Sequence, residues 1–174
     1  KRQADSCSIA LHTPLGVIVH SGDFKVDFTP IDNKVMDLAR YAQLGKKGVL
    51  LLMADSTNAI KPGYTMSEKT VGETLERLFL QATGRIIVAT FASNIHRLQQ
   101  IVNACEKHNR KIAFSGRSME KISEVSMELG YLNVPDGMII SLDEINNYSD
   151  ERITIVTTGS QGEPMLSLIH ISEP

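Results

Sequence analysis

The chain has 174 residues, 42% of them hydrophobic and 22% charged, with a formal net charge of −2. That composition excludes a disordered protein and leaves room for one full domain or pieces of two. The near-neutral balance excludes a globally basic polyanion binder, so any contact with nucleic acid has to use a local patch.

No apolar run approaches the roughly 20 residues of a membrane helix, and no signal peptide is visible. Cys7 and Cys105 stand far apart in no ligand-like spacing. They read as two buried, reduced thiols, which suits a cytoplasmic setting. The chain opens on Lys1-Arg2-Gln3 rather than Met, and the expectation is a piece of something longer.

In chain order, the segment from Ser8 to His12 reads as a strand. A Pro14-Leu15-Gly16 turn and a second strand, Val17–His20, make it a hairpin. The second strand runs into Ser21-Gly22-Asp23, where glycine lets the backbone turn and leaves a carboxylate on a loop. That carboxylate is either a turn-former or a ligand. After Pro30, Asp32-Asn33 are expected to start a helix with Val35, Leu38, Ala39 and Ala42 on its apolar face, ended by Gly45. The continuous apolar run Gly48–Ala54 is the pattern of a strand covered on both faces, and it ends in Asp55-Ser56-Thr57-Asn58.

Lys61-Pro62-Gly63-Tyr64 is a loop. A helix is expected from Ser67, with Val71, Leu75, Leu78 and Phe79 on one face, closed by Gly84. The alternation then becomes regular: strand Arg85–Thr90, helix Ile95–His108, strand Lys111–Ser115, helix Met119–Leu129, and further strands at Ile139-Ile140 and Ile153–Thr157. This order predicts an α/β protein with a mostly parallel sheet carrying helices on its faces.

Working residues of such sheets gather beyond the carboxyl ends of the strands. Those positions hold Asp23, Asp55, Ser93-Asn94, Ser115-Gly116-Arg117-Ser118 and the turn from Thr158 to Gly162. Two carboxylates and three Gly/Ser/Asn-rich turns suit a metal and a phosphorylated ligand, and a Rossmann-like nucleotide or sugar-phosphate module presents the same set. Neither a G-x-G-x-x-G nor a Walker sequence is present. His12 and His20 read as packed strand residues, His96 as structural, and His108 as a favourable charge at a helix end.

Five ordered strings carry a resemblance: Ser21-Gly-Asp-Phe-Lys25, Asp55-Ser-Thr-Asn58, Thr90-Phe-Ala-Ser-Asn-Ile-His-Arg97, Gly116-Arg-Ser-Met119 and Thr157-Thr-Gly-Ser-Gln-Gly-Glu-Pro164. From about Ser6 to Met165 the chain resembles bacterial ribonuclease J, a family of metallo-β-lactamase-fold enzymes with a β-CASP insertion. The resemblance implies a partial metallo-β-lactamase segment over residues 1–67 and an incomplete, Rossmann-like β-CASP domain over residues 68–165. Residues 166–174 do not continue the pattern.

It further implies a zinc-dependent ribonuclease with endonuclease and 5′-to-3′ exonuclease activity, acting on RNA in the cytoplasm as a homodimer or homotetramer. Asp23 falls on the ligand that bridges two zinc ions. Asp55 falls on an acid that supports the site from behind, by fixing a histidine that assists the leaving group. The backbone N–H groups of Gly159, Ser160 and Gly162, with the side chains of Ser93 and Arg117, would hold the RNA backbone. The family's His-x-His-x-Asp-His cluster would precede Lys1, and its later histidines would follow Pro164. By itself the chain is therefore expected neither to hold a di-zinc centre nor to cleave RNA. The rival readings are a non-catalytic RNA-binding or dimerising subunit, and a sugar-phosphate or nucleotide module.

Overall fold

A computed structural model describes residues 7–30, 35–57 and 59–159. The chain divides into two compact units, Lys1–Val71 and Gly72–Pro174.

In the first unit the expected hairpin forms. Strands β1 (Ile9–Thr13) and β2 (Gly16–His20) pair antiparallel, with Ile9 opposite His20 and Thr13 opposite Gly16. The Thr13 hydroxyl closes the turn, donating to the Gly16 carbonyl at 2.8 Å and accepting the Leu15 N–H at 3.2 Å. Strand β3 (Val49–Met53) lies parallel to β2 on its other side, reached through helix α1 (Leu38–Lys47). Parallel neighbours need such a crossover.

Helix α1 is displaced from the one read in the sequence. Asp32 and Asn33 lie outside the described residues, and the N-cap is Asp37, whose carboxylate accepts the Arg40 N–H at 2.9 Å. The helix passes through Gly45 and stops at Gly48. Its buried side is also different: Tyr41 and Leu44 pack on Val17, Val19 and Ala10, while Val35 and Leu38 are exposed. The register that fills the space above β2 decides the face, and it overrides the apolar spacing nearer Pro30.

Strand β3 departs furthest from expectation. All five of its residues are exposed, between 37% and 60%. A continuous apolar run calls for cover on both faces, but other elements must supply it. Among the described residues, the first unit's core cluster reaches β1 and β2 only, through Ala10, Val17 and Val19.

The second unit is built on a parallel sheet of order β4 (Ile86–Ala89), β6 (Ile153–Thr157), β5 (Lys111–Ser115). The last strand in sequence lies between the other two, and all five of its residues are buried. Helices α3 (Ile95–Lys107) and α4 (Arg117–Glu128) pack with Ile112, Phe114 and Val156 on one face. Ala113, Ile153 and Ile155 turn to the other face, against Ile140 and Ile145. Ile145 belongs to a 3₁₀-helix, Leu142–Asn147, opened by a reciprocal Ser141–Glu144 capping box that the sequence reading did not anticipate.

Ile139-Ile140 is not a strand. Ile139 makes an isolated parallel bridge to Ile112, because the chain turns into the 3₁₀-helix two residues later. Two helix faces are also rotated. Helix α2 (Glu68–Gln81) buries Phe79 and leaves Leu78 exposed; α4 buries Met119, Ser123 and Ser126 and leaves Val125 and Leu129 exposed. Small serines permit the closer approach. Cys105 is buried, and desolvation raises its thiol pKa to about 11, whereas Cys7, ahead of β1, is exposed and not packed as expected.

Arg110, which precedes β5, is only 4% exposed. Its guanidinium donates to the carbonyls of Gly84 (2.9 Å), Ala82 (2.9 Å) and Ile153 (3.2 Å). It thereby closes the segment after α2 onto the start of β6. Arg110→Met keeps the apolar stem and strips the donors from three carbonyls. It should lower unfolding stability by roughly 2–4 kcal/mol in urea titrations; an unchanged midpoint would show that water replaces the guanidinium.

Candidate functional site

The site in the first unit is built where β2 and β3 end. Ser21, buried just past β2, donates its N–H to the Met53 carbonyl at 2.9 Å, extending the parallel ladder by one rung. Its hydroxyl donates to the Gly22 carbonyl at 2.7 Å and accepts the Asp55 N–H at 3.0 Å. The Ser21 carbonyl accepts the Ser8 hydroxyl at 2.7 Å, and Ser8 accepts the Tyr41 phenol of α1. One serine thus ties both strand ends together, and a hydrogen-bonded chain runs from it back to the helix.

Gly22 has φ +62, a conformation that suits glycine, and it reverses the backbone there. Its N–H donates to His20 Nδ1 at 3.1 Å. His20 is therefore an exposed acceptor and not a packed residue, and His12 is exposed too. Asp23 follows on a bend with its side chain exposed. Asp55 is half-buried. Its carboxylate accepts the Thr57 N–H at 3.0 Å and the Thr57 hydroxyl at 2.5 Å. The Thr57 hydroxyl and the Thr57 N–H hold the Asp55 pKa below its ordinary value. Asp55 thus forms a side-chain turn with Thr57.

Among the described residues no three His, Cys, Asp or Glu side chains come together in a metal-binding arrangement. A zinc site takes about four donors. Asp23 and Asp55 with their described neighbours do not supply them, and these residues alone do not fit a zinc centre.

Lys25 and Asp27 were missed in the sequence. Lys25 Nζ donates to the Met66 carbonyl at 2.7 Å and to Glu68 at 3.0 Å. Asp27 accepts the Glu68 N–H at 3.0 Å and the Thr29 N–H at 3.0 Å, and its side chain is 8% exposed. A carboxylate 41 residues away in sequence therefore caps the start of α2. Nothing local in the sequence marks a cap at that separation.

In the second unit, Ser93, Arg117 and Gly159 all come to the carboxyl edge of the sheet. Thr90 N–H donates to the Thr157 carbonyl at 2.9 Å, and Ser115 stands opposite Thr157, so the three strand ends are neighbours. Ser93 is exposed, one residue before Asn94, whose side chain accepts the Arg97 N–H at 3.2 Å and caps α3. The cap of α4 differs: Gly116, at φ +98, offers no side-chain acceptor, and Arg117 is exposed in the first turn. The leading N–H groups of α4 therefore have no side-chain cap. Gly159 follows β6 with φ +105. Ser160 and Gly162 lie outside the described residues.

An α/β chain with carboxylates at one sheet edge and glycine turns at another has the layout of an open sheet whose strand ends carry a site. Residues 83–174 match the family described as ribonuclease J, β-CASP domain, more than half of the chain, and the chain belongs to that family. It is 51% identical to ribonuclease J of Thermus thermophilus and 50% identical to that of Synechocystis. It is 39% identical to ribonuclease J2 of Bacillus subtilis. These alignments cover 95%, 97% and 97% of this chain but only 29%, 26% and 30% of the relatives. The chain thus spans less than a third of their length. A solved protein of unknown function from Enterococcus faecalis shares the fold, with a TM-score of 0.57 at 15% identity, over 89% of this chain and 38% of that one.

The Asp27 cap carries a pH dependence. Burial raises its pKa, but the N–H groups of Glu68 and Thr29, the Ser67 hydroxyl and Lys25 together bring it below the ordinary 3.8. A depressed carboxylate stabilises the fold above its unfolded pKa and loses that contribution as pH falls through the folded value. Asp27→Asn should therefore flatten the loss of stability below about pH 4. Urea unfolding at neutral pH and near pH 3 checks this; parallel losses in both proteins would refute the cap's share.

Proposed function

We propose that this chain serves RNA hydrolysis as part of a longer ribonuclease J polypeptide, acting in the cytoplasm by endonucleolytic and 5′-to-3′ exonucleolytic cleavage and assembling as a dimer or tetramer. The observation that carries the reading is the edge where Ser21 joins the ends of β2 and β3, so that Asp23 and Asp55 follow on adjacent loops, within a chain of this family. The first unit is read here as the partial metallo-β-lactamase segment. Asp23 would give one carboxylate to zinc there, with the other donors from outside the described residues. Asp55, its carboxylate bound by the Thr57 N–H and hydroxyl, would support the site from the neighbouring loop.

The second unit supplies the phosphate contacts. The uncapped start of α4, the Arg117 guanidinium and the Gly159 turn gather on one edge, and N–H groups at a helix start favour an anion. Ser93 adds a hydroxyl there, and Ser160 and Gly162 extend the same turn in sequence. A small phosphorylated ligand would use the same donors, so the two readings separate by competition.

Three outcomes are expected. In the longer protein, Asp23→Ala should abolish RNA cleavage and leave RNA binding unchanged; cleavage at the parent rate would remove the acid from the site. The 174-residue chain, equilibrated with zinc and dialysed, should retain less than one ion by elemental analysis, and two retained ions would overturn the assignment of the missing donors to other segments. Arg117→Ala should weaken binding of an RNA oligonucleotide and reduce the salt slope by about one. Fluorescence anisotropy over a salt series reads both, and displacement of RNA by millimolar inorganic phosphate would favour the small-ligand reading.

A further inference from the structure

The segment that follows Asp23 inverts the usual pattern of burial. Val26 and Phe28 are exposed, at 42% and 76%, whereas the side chains of Lys25 and Asp27, which alternate with them, are only 13% and 8% exposed. A lysine ordinarily keeps its ammonium in water, so a charge turned inward beside apolar side chains turned outward needs a cause. The partners of Lys25 supply it. Its ammonium donates to the Met66 carbonyl at 2.7 Å and to Glu68 at 3.0 Å, across 41 and 43 residues of sequence.

We propose that Lys25 is a positioning residue for Asp23: its ammonium anchors the far end of the loop that carries the acid. This rests on the nuclease reading of Asp23. The acid stands midway between two anchors. On the near side, Ser21 is fixed by its N–H to the Met53 carbonyl and by its hydroxyl, which accepts the Asp55 N–H. On the far side stands Lys25, and only Gly22 and Phe24 separate Asp23 from the two. Gly22, at φ +62, supplies the reversal, but glycine has more backbone freedom than any other residue. A fixed near end therefore leaves the direction of Asp23 open. A second anchor two residues beyond it removes that freedom, because so short a stretch held at both ends has few conformations left.

The other bonds of this joint hold the segment farther from the acid. Asp27 accepts the Glu68 N–H at 3.0 Å. The Thr29 hydroxyl donates to Ser67 Oγ at 2.8 Å, and the Ser67 hydroxyl donates to the Thr29 carbonyl at 2.9 Å. They tie the chain to the start of α2 without Lys25, so loss of the ammonium frees the Asp23 loop and leaves the joint closed. The ammonium is also the cation facing Glu68 at 3.0 Å and Asp27 at 4.0 Å. Its removal thus has two separable consequences, a lost anchor and two carboxylates without that cation.

The test uses the longer polypeptide and an RNA oligonucleotide. Lys25→Met keeps the aliphatic stem and deletes the ammonium; kcat should fall about 10–100-fold, the range for loss of a supporting partner, with KM unchanged within about twofold. Lys25→Arg, whose guanidinium reaches the same acceptors, should recover most of the rate. Lys25→Met combined with Glu68→Gln takes away the Glu68 charge but not the loss of the anchor, and should stay as slow as Lys25→Met alone. Thr29→Val, which cuts the joint beyond Lys25, should cleave near the parent rate. Deuterium exchange read by mass spectrometry should quicken over Gly22–Phe24 in Lys25→Met and stay at the parent rate in β2 and α2. Parent-rate cleavage by Lys25→Met, recovery in the double variant, an equal loss in Thr29→Val, or exchange that is unchanged at Gly22–Phe24 or raised throughout the first unit would overturn the positioning role and leave the nuclease reading standing. Parent-rate cleavage by Asp23→Ala would overturn that reading, and the proposal with it.

Discussion

The first unit depends on Ser21. Two parallel strands that end side by side still diverge unless something joins the chain beyond the last rung of the ladder. Ser21 does this twice, through its N–H to Met53 and through its hydroxyl to the Asp55 N–H. A buried hydroxyl in such a place needs its partners, and here it has a donor and an acceptor. Because Asp23 lies two residues beyond Ser21, and Asp55 is the residue whose N–H the serine accepts, the separation of the two acidic loops follows from one side chain. The Ser8 and Tyr41 hydroxyls then reference that pair to α1.

The second unit solves the same problem by burial. Its central strand is covered on both faces, and the polar groups at the strand ends, Thr90, Ser115 and Thr157, are themselves buried. Arg110 closes the opposite edge, where its guanidinium donates to the carbonyls of Ala82, Gly84 and Ile153. A buried cation is costly to desolvate, and full hydrogen bonding offsets that cost. The result is a rigid frame from which the Ser93, Arg117 and Gly159 turns project. Among these loops the one before α4 leaves the helix start without a side-chain cap.

Much of this was legible in the sequence, and the reasons for the failures are physical. The β-α-β alternation predicts the parallel sheet of the second unit, whose strands β4, β5 and β6 lie within a residue of the expected ones, whereas the expected strand at Ile139-Ile140 is only a bridge. The hairpin followed from Pro14-Leu15-Gly16. Helix faces were less legible: spacing defines several apolar stripes, and packing against Val19 or Ile112 selects among them. The Lys25–Asp27 clamp on α2 was invisible because it joins residues about 40 apart. The exposed β3 shows the same limit from the other side. A run such as Val49–Met53 states a demand for cover but cannot say what supplies it.

Asp55 shows why a turn residue and a site residue need not be rival readings. Its carboxylate accepts the Thr57 N–H, the bond of an ordinary side-chain turn. The Thr57 hydroxyl uses more of its acceptor capacity, and together these bonds favour the ionised form. The same bonds that make the turn also favour the charged carboxylate. A carboxylate held this way is poor at taking up a proton and good at positioning what lies next to it. The structural work of Asp55 and a supporting role at the site are therefore compatible, because the bonds that make the turn also hold the carboxylate in place.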